Sequence, residues 1–140
     1  MRVMVIVKAT KDSEAGVLPG TELLTEMGRF NEELVKAGVM LAGEGLRASS
    51  HGVRVRFGAG KSTVTDGPFT ETKELIGGFW LWQVKSIEEA IEWIRRSPLR
   101  RVDAEVEIRP VFEADECGGR ATAELLEQLA ERRARLTAKS

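Results

Sequence analysis

The chain has 140 residues, of which 21 are Lys or Arg and 22 are Asp or Glu, giving a formal net charge of -1. This length suits one domain with its own hydrophobic core. The balanced charge disfavours nucleic acid and anionic membranes as partners. With Cys117 as the one cysteine and His51 as the one histidine, the chain can assemble neither an internal disulfide nor a zinc site.

An apolar stretch near the start, Val3 to Val7, is too short to span a membrane and lacks the cleavage pattern of a signal peptide. We therefore expect a cytoplasmic protein. Both alternating sets of residues in this stretch are apolar, which is typical of a strand inside a covered sheet. It is predicted to be the first β-strand.

The later elements follow from periodicity and from residues that end helices. "TELLTEMGRFNEELVKAG" has helical spacing and ends at Gly38. A strand near residues 39–46 and a hairpin that turns at "GAGK" are predicted next. "GGFWLWQV" is apolar on both faces, which predicts a second central strand. "SIEEAIEWIRRSP" begins with a capping box and stops before Pro98, so it predicts a second helix. "AEVEIRPV" alternates apolar and charged residues, as a strand at a sheet edge does.

This order of elements predicts an α+β fold, the ferredoxin-like split β-α-β arrangement with an inserted β-hairpin. Helices cover one face of such a sheet, so the other apolar face would be exposed unless a second sheet covered it. We therefore expect a homodimer that packs sheet against sheet. Residues 1–114 are predicted to form this domain. Residues 115–140 are predicted to be a C-terminal helical extension, which either docks on its own core or on the dimer partner, or serves as a binding arm for another protein.

Two glycine-rich stretches match nucleotide-binding patterns only loosely. "FGAGKST" lacks the first glycine of a P-loop and precedes a β-rich segment. "GEGLRA", residues 43–48, fits the loose dinucleotide pattern, but no helix follows it. We interpret both matches as accidental, so no nicotinamide, haem or other cofactor is predicted.

The stretch "TDGPFTETKELIGGFW" places a turn and a cluster of charges before an apolar strand. The turn formers "DGP" account for its start. They do not account for Glu71, Lys73 and Glu74, which precede a strand that has to be buried. Either these charges belong to a solvated connector, or they lie at the mouth of a cavity roofed by Phe69 and the tryptophans.

Together with "GVMLAGEGL", "EEAIEWI" and "VEIRPVFEA", this stretch resembles the YCII-related superfamily over residues 1–114, in the subgroup named for its Asp-Gly-Pro-Phe motif. The resemblance implies a dimeric α+β barrel with a polar cleft at the subunit boundary. Members are often encoded beside sigma factors of the extracytoplasmic-function type, which implies a regulatory setting. The superfamily also includes a ring dehydrochlorinase thought to use a His-Asp dyad, but the first predicted helix here has no histidine.

The first functional hypothesis is small-molecule binding in that cleft, with acid-base catalysis left open. The candidate catalytic residues are Asp66, Glu71 and Glu74, and the candidate substrate-binding residues are Lys73, Phe69, Lys8 and Arg109. The alternative is a non-catalytic regulatory or interaction module, in which the charges stabilise the dimer and a sigma-factor-linked protein is the partner. Binding of Mg²⁺ or Ca²⁺ by the three carboxylates is a weaker alternative; their spacing matches no metal motif, so no metal site is predicted.

Overall fold

The computed structural model describes residues 1–113, Glu116 and residues 122–138. The strands are Arg2–Lys8 (β1), Met40–Gly45 (β2), Val53–Gly58 (β3), Lys61–Asp66 (β4), Ile76–Gln83 (β5) and Val106–Pro110 (β6). The α-helices are Lys11–Glu14 (α1), Thr21–Lys36 (α2), Ile87–Arg96 (α3) and Ala123–Ala138 (α4). Short 3-10 helices are Ser49–His51, Thr72–Glu74 and Pro98–Arg101.

The chain divides into two compact units, Met1–Pro110 and Val111–Ser140, and α4 belongs to the second. The predicted boundary between residues 114 and 115 falls on residues outside those described, as does Cys117. The half-buried side chains of Leu126 and Leu129 lie on α4, whereas Leu125 and Leu136 are exposed. The predicted separate role of the C-terminal segment stays a prediction.

The main sheet has the strand order β2-β5-β1-β6, and all of its neighbouring pairs are antiparallel. With β1 and β5 in the centre and β2 and β6 at the edges, this is the ferredoxin-like order, so the predicted fold is confirmed. Among the described residues, strands β3 and β4 pair only with each other, as the inserted hairpin. Its tight turn uses Ala59 and Gly60 at positive φ, the conformation that matches the twist of a two-residue hairpin loop.

The helix boundaries have local causes. Gly38 adopts a φ of 72° just after α2, a conformation that glycine adopts without steric cost. The Ser86 hydroxyl accepts a hydrogen bond from the Glu89 N–H and caps α3. The predicted capping box is only half formed, because the Glu89 carboxylate accepts from the Lys85 N–H and not from Ser86. Helix α1 was not predicted; the Thr10 and Ser13 side chains cap its first turn.

The core lies between the main sheet and the helices α2 and α3. The ring of Phe30 on α2 makes edge contacts with Trp80 and Trp82 of β5, at centroid distances of 6.0 and 6.4 Å. Trp82 and Leu34 are fully buried there. On the opposite sheet face, which we call the outer face, β1 and β5 present Met4, Ile6, Phe79 and Leu81. Both faces of the two central strands are therefore apolar, as predicted.

Candidate functional site

A cleft runs beside one end of the main sheet and has two adjoining parts. The first part, which we call the chamber, is a cavity of about 340 Å³ lined by residues of α2, β2 and β5. The second part, the groove, is wider and more open, with a volume of about 1270 Å³. Both parts are lined by Val7, Pro19, Leu23, Gly77 and Leu99, so the chamber and the groove adjoin each other.

The chamber exists because glycines replace side chains on the helix-facing side of the sheet. Gly45 lies opposite Gly78 on the neighbouring strand, and Gly43 lies opposite Trp80. A Cβ atom added at Gly45 would have no other atom within 4 Å, whereas one at Gly43 would be 2.6 Å from Trp80 Cδ1. The indole thus leans over Gly43, and the space above Gly45 stays open.

The other walls of the chamber are mostly apolar. Leu23, Leu24 and Met27 line it from α2, and the indole of Trp80 closes one side. The Trp80 Nε1–H donates a hydrogen bond of 2.9 Å to Asn31 Oδ1. Because that bond occupies the amide oxygen of Asn31, its amide nitrogen is the group with donors to offer a ligand.

The groove contrasts with the chamber because charged side chains of both signs line it. They come from the end of β1 and the segment after it, from the segment before β5 and from the segment before β6, and they are Lys8, Lys11, Asp12, Glu71, Lys73, Glu74, Asp103 and Glu105. The Ala9 N–H donates to the Leu75 carbonyl at 2.9 Å, which holds the 3-10 helix Thr72–Glu74 beside the end of β1. Exposed Lys73 and Glu74 are thereby placed on one wall of the groove.

The candidate residues from the sequence divide into two sets. Lys8, Glu71, Lys73 and Glu74 line the groove, whereas Asp66, Phe69 and Arg109 line neither part of the cleft. Lys8 Nζ lies 3.2 Å from the carboxylate of Glu107, which is also 3.7 Å from Arg109 Nε. Two of the three cations predicted to hold an anionic ligand, Lys8 and Arg109, therefore share a carboxylate of β6.

Glu71 is paired with Arg54 of the hairpin, at 3.2 Å between carboxylate and guanidinium. A hydrogen bond from its own backbone N–H, followed by the one from Arg54, lowers the pKa of the Glu71 carboxyl. The Arg54 guanidinium also lies 3.8 Å from the ring centroid of Phe69, in cation-π geometry. Glu71 and Phe69 are thus joined to the hairpin through one arginine.

The Asp-Gly-Pro-Phe motif forms the base of the hairpin. Asp66 is the exposed last residue of β4, opposite Val53, and the Gly67–Pro68 peptide bond is cis. The Gly67 N–H donates to the Gly52 carbonyl at 2.9 Å. A Cβ atom at position 67 would overlap the carbonyl oxygen of Ser49, so only glycine fits there.

Ser49 joins this turn to helix α1. Its hydroxyl oxygen accepts a hydrogen bond from the Phe69 N–H at 3.0 Å. Its backbone N–H donates to Glu14 Oε2 at 2.9 Å, and its hydroxyl donates to the other carboxylate oxygen. The hydroxyl first, and then the backbone N–H, lowers the pKa of the Glu14 carboxyl. We call Glu14, Ser49, Gly67 and Phe69 the hairpin base; Glu14 and Ser49 were not identified from the sequence.

The structure also bears on the aromatic roof and on the metal site that were considered from the sequence. Trp80 and Trp82 are buried on the helix side of the sheet, so they do not join Phe69 in a roof over the charges; Trp80 instead forms a wall of the chamber. Within the described residues, no group of three or more His, Cys, Asp or Glu side chains is placed to hold a metal ion, so Asp66, Glu71 and Glu74 do not converge.

None of the helices in the described part of the chain is long and apolar enough to cross a membrane.

The fold and cleft define a ferredoxin-like α+β protein with an apolar chamber that opens onto a charged groove. The profile of the YCII-related domain family matches residues 1–115. The chain therefore belongs to the YCII-related family, which confirms the resemblance seen in its motifs.

Two further likenesses were found among known proteins. An uncharacterized protein of Rhizobium meliloti (strain 1021) is 32% identical over 73 residues, which amount to 52% of this chain and 59% of that protein. The match thus spans less than two thirds of the relative's length. The solved structure of 5-chloro-2-hydroxyhydroquinone dehydrochlorinase (TftG) from Burkholderia phenoliruptrix AC1100, in complex with 2,5-dihydroxybenzoquinone, has a TM-score of 0.48 and 16% identity. The match covers 82% of this chain and 97% of the dehydrochlorinase chain.

Proposed function

We propose that this protein binds a small organic molecule in the cleft. The observation that carries the proposal is the joining of an apolar chamber of about 340 Å³ to a charged groove. Ligand sites typically combine an apolar cavity of about 300–1,000 Å³ with a few polar groups that orient the ligand. An amphipathic molecule fits this arrangement, with its apolar part in the chamber and its polar part in the groove.

Lys73 is the residue that we expect to hold an anionic group of the ligand. It lines the groove next to Glu74 on the 3-10 helix Thr72–Glu74. Lys8 also lines the groove, but its ammonium already lies near Glu107. Lys73 is therefore better placed than Lys8 or Arg109 to interact with a ligand.

If the cleft is catalytic, Glu74 is the carboxylate that we assign to proton transfer. Hydrogen bonds from its own backbone N–H and then from Arg54 lower the pKa of the Glu71 carboxyl, which makes its carboxylate a weaker proton acceptor. Asp66 lies at the end of β4 and lines neither the chamber nor the groove. Phe69 belongs to the hairpin base and Asp66 lies next to it, so we assign neither residue to catalysis.

A thermal-shift screen of small metabolites, including carboxylates and phosphates, tests ligand binding. A ligand present at a hundred times its dissociation constant adds about 2.7 kcal/mol to stability. We expect a hit to stabilise the native protein and to shift the melting temperature of Lys73→Ala much less. Lys61→Ala is the matched control, since Lys61 lies at the hairpin turn and lines neither part of the cleft. Equal shifts in both variants would contradict the role of Lys73, and no hit at all would contradict the binding of a metabolite that uses both the chamber and the groove.

We also propose that the protein is a homodimer that packs outer face against outer face. Apolar Met4, Phe79 and Leu81 lie only half-buried on the two central strands. A second copy would cover them and bring two clefts into one assembly. Sedimentation of the native protein at micromolar concentration should give the dimer mass, and Leu81→Lys should give the monomer. Thr63→Lys, on the exposed hairpin, should stay dimeric; a monomeric native protein would contradict this arrangement.

A non-catalytic interaction module is the second candidate function, and the hairpin base favours it. Gly67 and Phe69 of the family motif serve backbone contacts with Gly52 and Ser49 and do not line the cleft. A motif that stabilises the hairpin would present its exposed apolar residues Val55 and Phe57 to a partner. Association with a sigma-factor-linked protein stays a prediction from the resemblance. Co-purification of such a partner with the native protein, and its loss in Phe57→Ser, is the expected result for this candidate.

A further inference from the structure

We propose that the chamber accepts a flat, uncharged ring as the apolar part of the ligand. This inference rests on the small-molecule binding proposed above and specifies the chemical class that the chamber selects. It comes from three properties of the chamber: its volume, the shape of its glycine floor and the polarity of its walls.

The volume is right for a substituted ring. An engineered protein cavity of about 150 Å³ lined by Leu, Ile and Phe stays dry and binds benzene. The chamber has about 340 Å³ and is lined mainly by Leu, Met, Val, Trp and Gly residues. A six-membered ring with one or two small substituents fits this volume, and the opening onto the groove leaves room for a longer substituent.

The shape of the chamber favours a flat group over a branched one. On the helix-facing side, Gly45 and Gly78 lie opposite each other on neighbouring strands, so this part of the floor is bare backbone. A Cβ atom at Gly45 would point into open space, and one at Gly78 would be 3.0 Å from the Glu44 carbonyl oxygen. Leu23 and Met27 of α2 line the same chamber. Glycine at these two positions leaves two side chains out of the layer that faces α2, and a flat ring can take their place.

The walls favour an uncharged ring with one polar substituent. A charged group moved from water into this lining would lose hydration without gaining an ionic partner there, unless it reached the exposed carboxylate of Glu44. The amide nitrogen of Asn31 can donate to a hydroxyl or carbonyl oxygen on the ring. The Met27 thioether and the Trp80 indole both make favourable contacts with aromatic rings.

The test compares phenol with cyclohexanol, which has the same ring size and hydroxyl group but a puckered ring. Binding is followed by the indole N–H signal of Trp80 in ¹H–¹⁵N NMR spectra, assigned with Trp80→Phe. We expect phenol to shift this signal in a saturable manner and to bind at least 10-fold more tightly than cyclohexanol. Equal affinities, or no saturable shift with phenol up to millimolar concentration, would overturn the inference.

Chamber-filling variants locate the binding site. Gly45→Leu should weaken phenol binding at least 10-fold, because its side chain would occupy the open space above the floor. Gly28→Leu is the matched control: Gly28 lies on α2, also has no atom within 4 Å of an added Cβ, and does not line the chamber. If Gly45→Leu does not fold, Leu24→Trp, at a half-exposed wall position, fills the chamber from the other side. Phenol binding that survives the filling of the chamber would overturn the inference.

The two proposals fail in different ways. If a metabolite hit is lost in Lys73→Ala but unchanged in Gly45→Leu, the protein binds its ligand in the groove alone, and the ring inference is wrong. If phenol binding is lost in Gly45→Leu and no metabolite gives a hit, the chamber selects rings as proposed, while the proposed use of the groove is wrong. Lys73→Ala should change phenol affinity less than 2-fold, because phenol carries no group for the groove.

Discussion

In the main sheet, alternate residues of β1 and β5 are buried against α2 and α3, whereas every residue of β3 and β4 is exposed. Both regions are antiparallel β-structure, but different interactions hold them in place. Apolar burial is the main stabilising term for the sheet. The hairpin depends on its base, where Ser49, Gly67 and Phe69 make close polar contacts, and on the ion pair between Arg54 and Glu71.

The difference shows that the residues of a sequence motif can serve to attach one structural element to the rest of the domain. A two-stranded hairpin is only marginally stable by itself in water. The Asp-Gly-Pro-Phe motif provides a turn that fits closely against Ser49. The cleft residues, in contrast, come from segments that lie far apart in the sequence. The following predictions test this division, from the largest expected effect to the smallest.

The largest loss of stability should come from the core of the main sheet. Trp82→Ala removes a fully buried side chain, and we expect it to lower the free energy of unfolding by about 3–5 kcal/mol. Urea denaturation followed by circular dichroism measures the change. Trp82→Phe should cost much less, because the Trp82 Nε1–H makes no hydrogen bond within the described residues, so losing it leaves no polar group unpaired. Phe57→Ala, at a hairpin residue that is 80% exposed, should change stability by about 0.5 kcal/mol or less. A larger loss at Phe57 than at Trp82 would reverse the comparison.

The next largest effect should be local to the hairpin. Gly67→Ala forces a Cβ atom against the Ser49 carbonyl, and overpacking of this kind costs about 1–3 kcal/mol. Hydrogen exchange should show faster exchange of the β3 and β4 amides, while the amides that pair β1 with β5 stay protected. Gly58→Ala is the control, because an added Cβ there has no other atom within 4 Å. Equal loss of protection in both regions would mean that the hairpin base is part of the core.

The sequence predicted the main sheet well because its signals are local. β1 and β5 are apolar on both faces, and the α2 and α3 helices have clear periodicity and end signals. Helix α1 has only four residues and no buried side chain, so it has no apolar periodicity to detect. The turn at "GAGK" was predicted from its glycines, and the structure confirms it.

The candidate site was harder to predict because it depends on residues far apart in the sequence. Ser49 and Glu14 are 35 positions apart, and nothing in either local sequence indicates the contact. The glycines of "GEG" and "GG" were visible, and "GEG" was set aside as an accidental dinucleotide match. Their role needs the strand register, which places Gly45 opposite Gly78. Glycines in adjacent predicted strands, on the face that should be covered by a helix, are the signal that could have identified the chamber.

A smaller local effect should come from Ser49→Ala. The Phe69 N–H loses its hydroxyl acceptor, which costs about 1 kcal/mol, and the Glu14 carboxylate loses one of its two donors from Ser49. Hydrogen exchange of the Phe69 amide and of the β3–β4 amides should become faster, with little change in β1. Ser50→Ala is the matched control at the exposed next position. Identical exchange in the two variants would show that the hydroxyl does not stabilise the hairpin base.

The smallest effect should be a pH dependence of the hairpin. Hydrogen bonds from the Ser49 hydroxyl and then its backbone N–H lower the pKa of the Glu14 carboxyl, and hydrogen bonds from its own backbone N–H and then from Arg54 lower the pKa of the Glu71 carboxyl. A carboxyl whose pKa is lower in the folded state stabilises the fold above its unfolded pKa, and this contribution is lost as the pH falls through the folded pKa.

The β3 and β4 amides should therefore open to exchange more often as the pH is lowered below the pKa of an ordinary glutamate. The measured rates are first corrected for the intrinsic exchange rate at each pH. Glu14→Gln with Glu71→Gln should remove most of this dependence, whereas Glu22→Gln, at an exposed position of α2, should not. Added salt should reduce the part of this pH dependence that comes from the Arg54–Glu71 ion pair, because both side chains are about half exposed. If only the β1 and β5 amides showed a pH dependence, the titrating groups would lie outside the hairpin base. The stability of the hairpin would then not depend on the charges of Glu14 and Glu71.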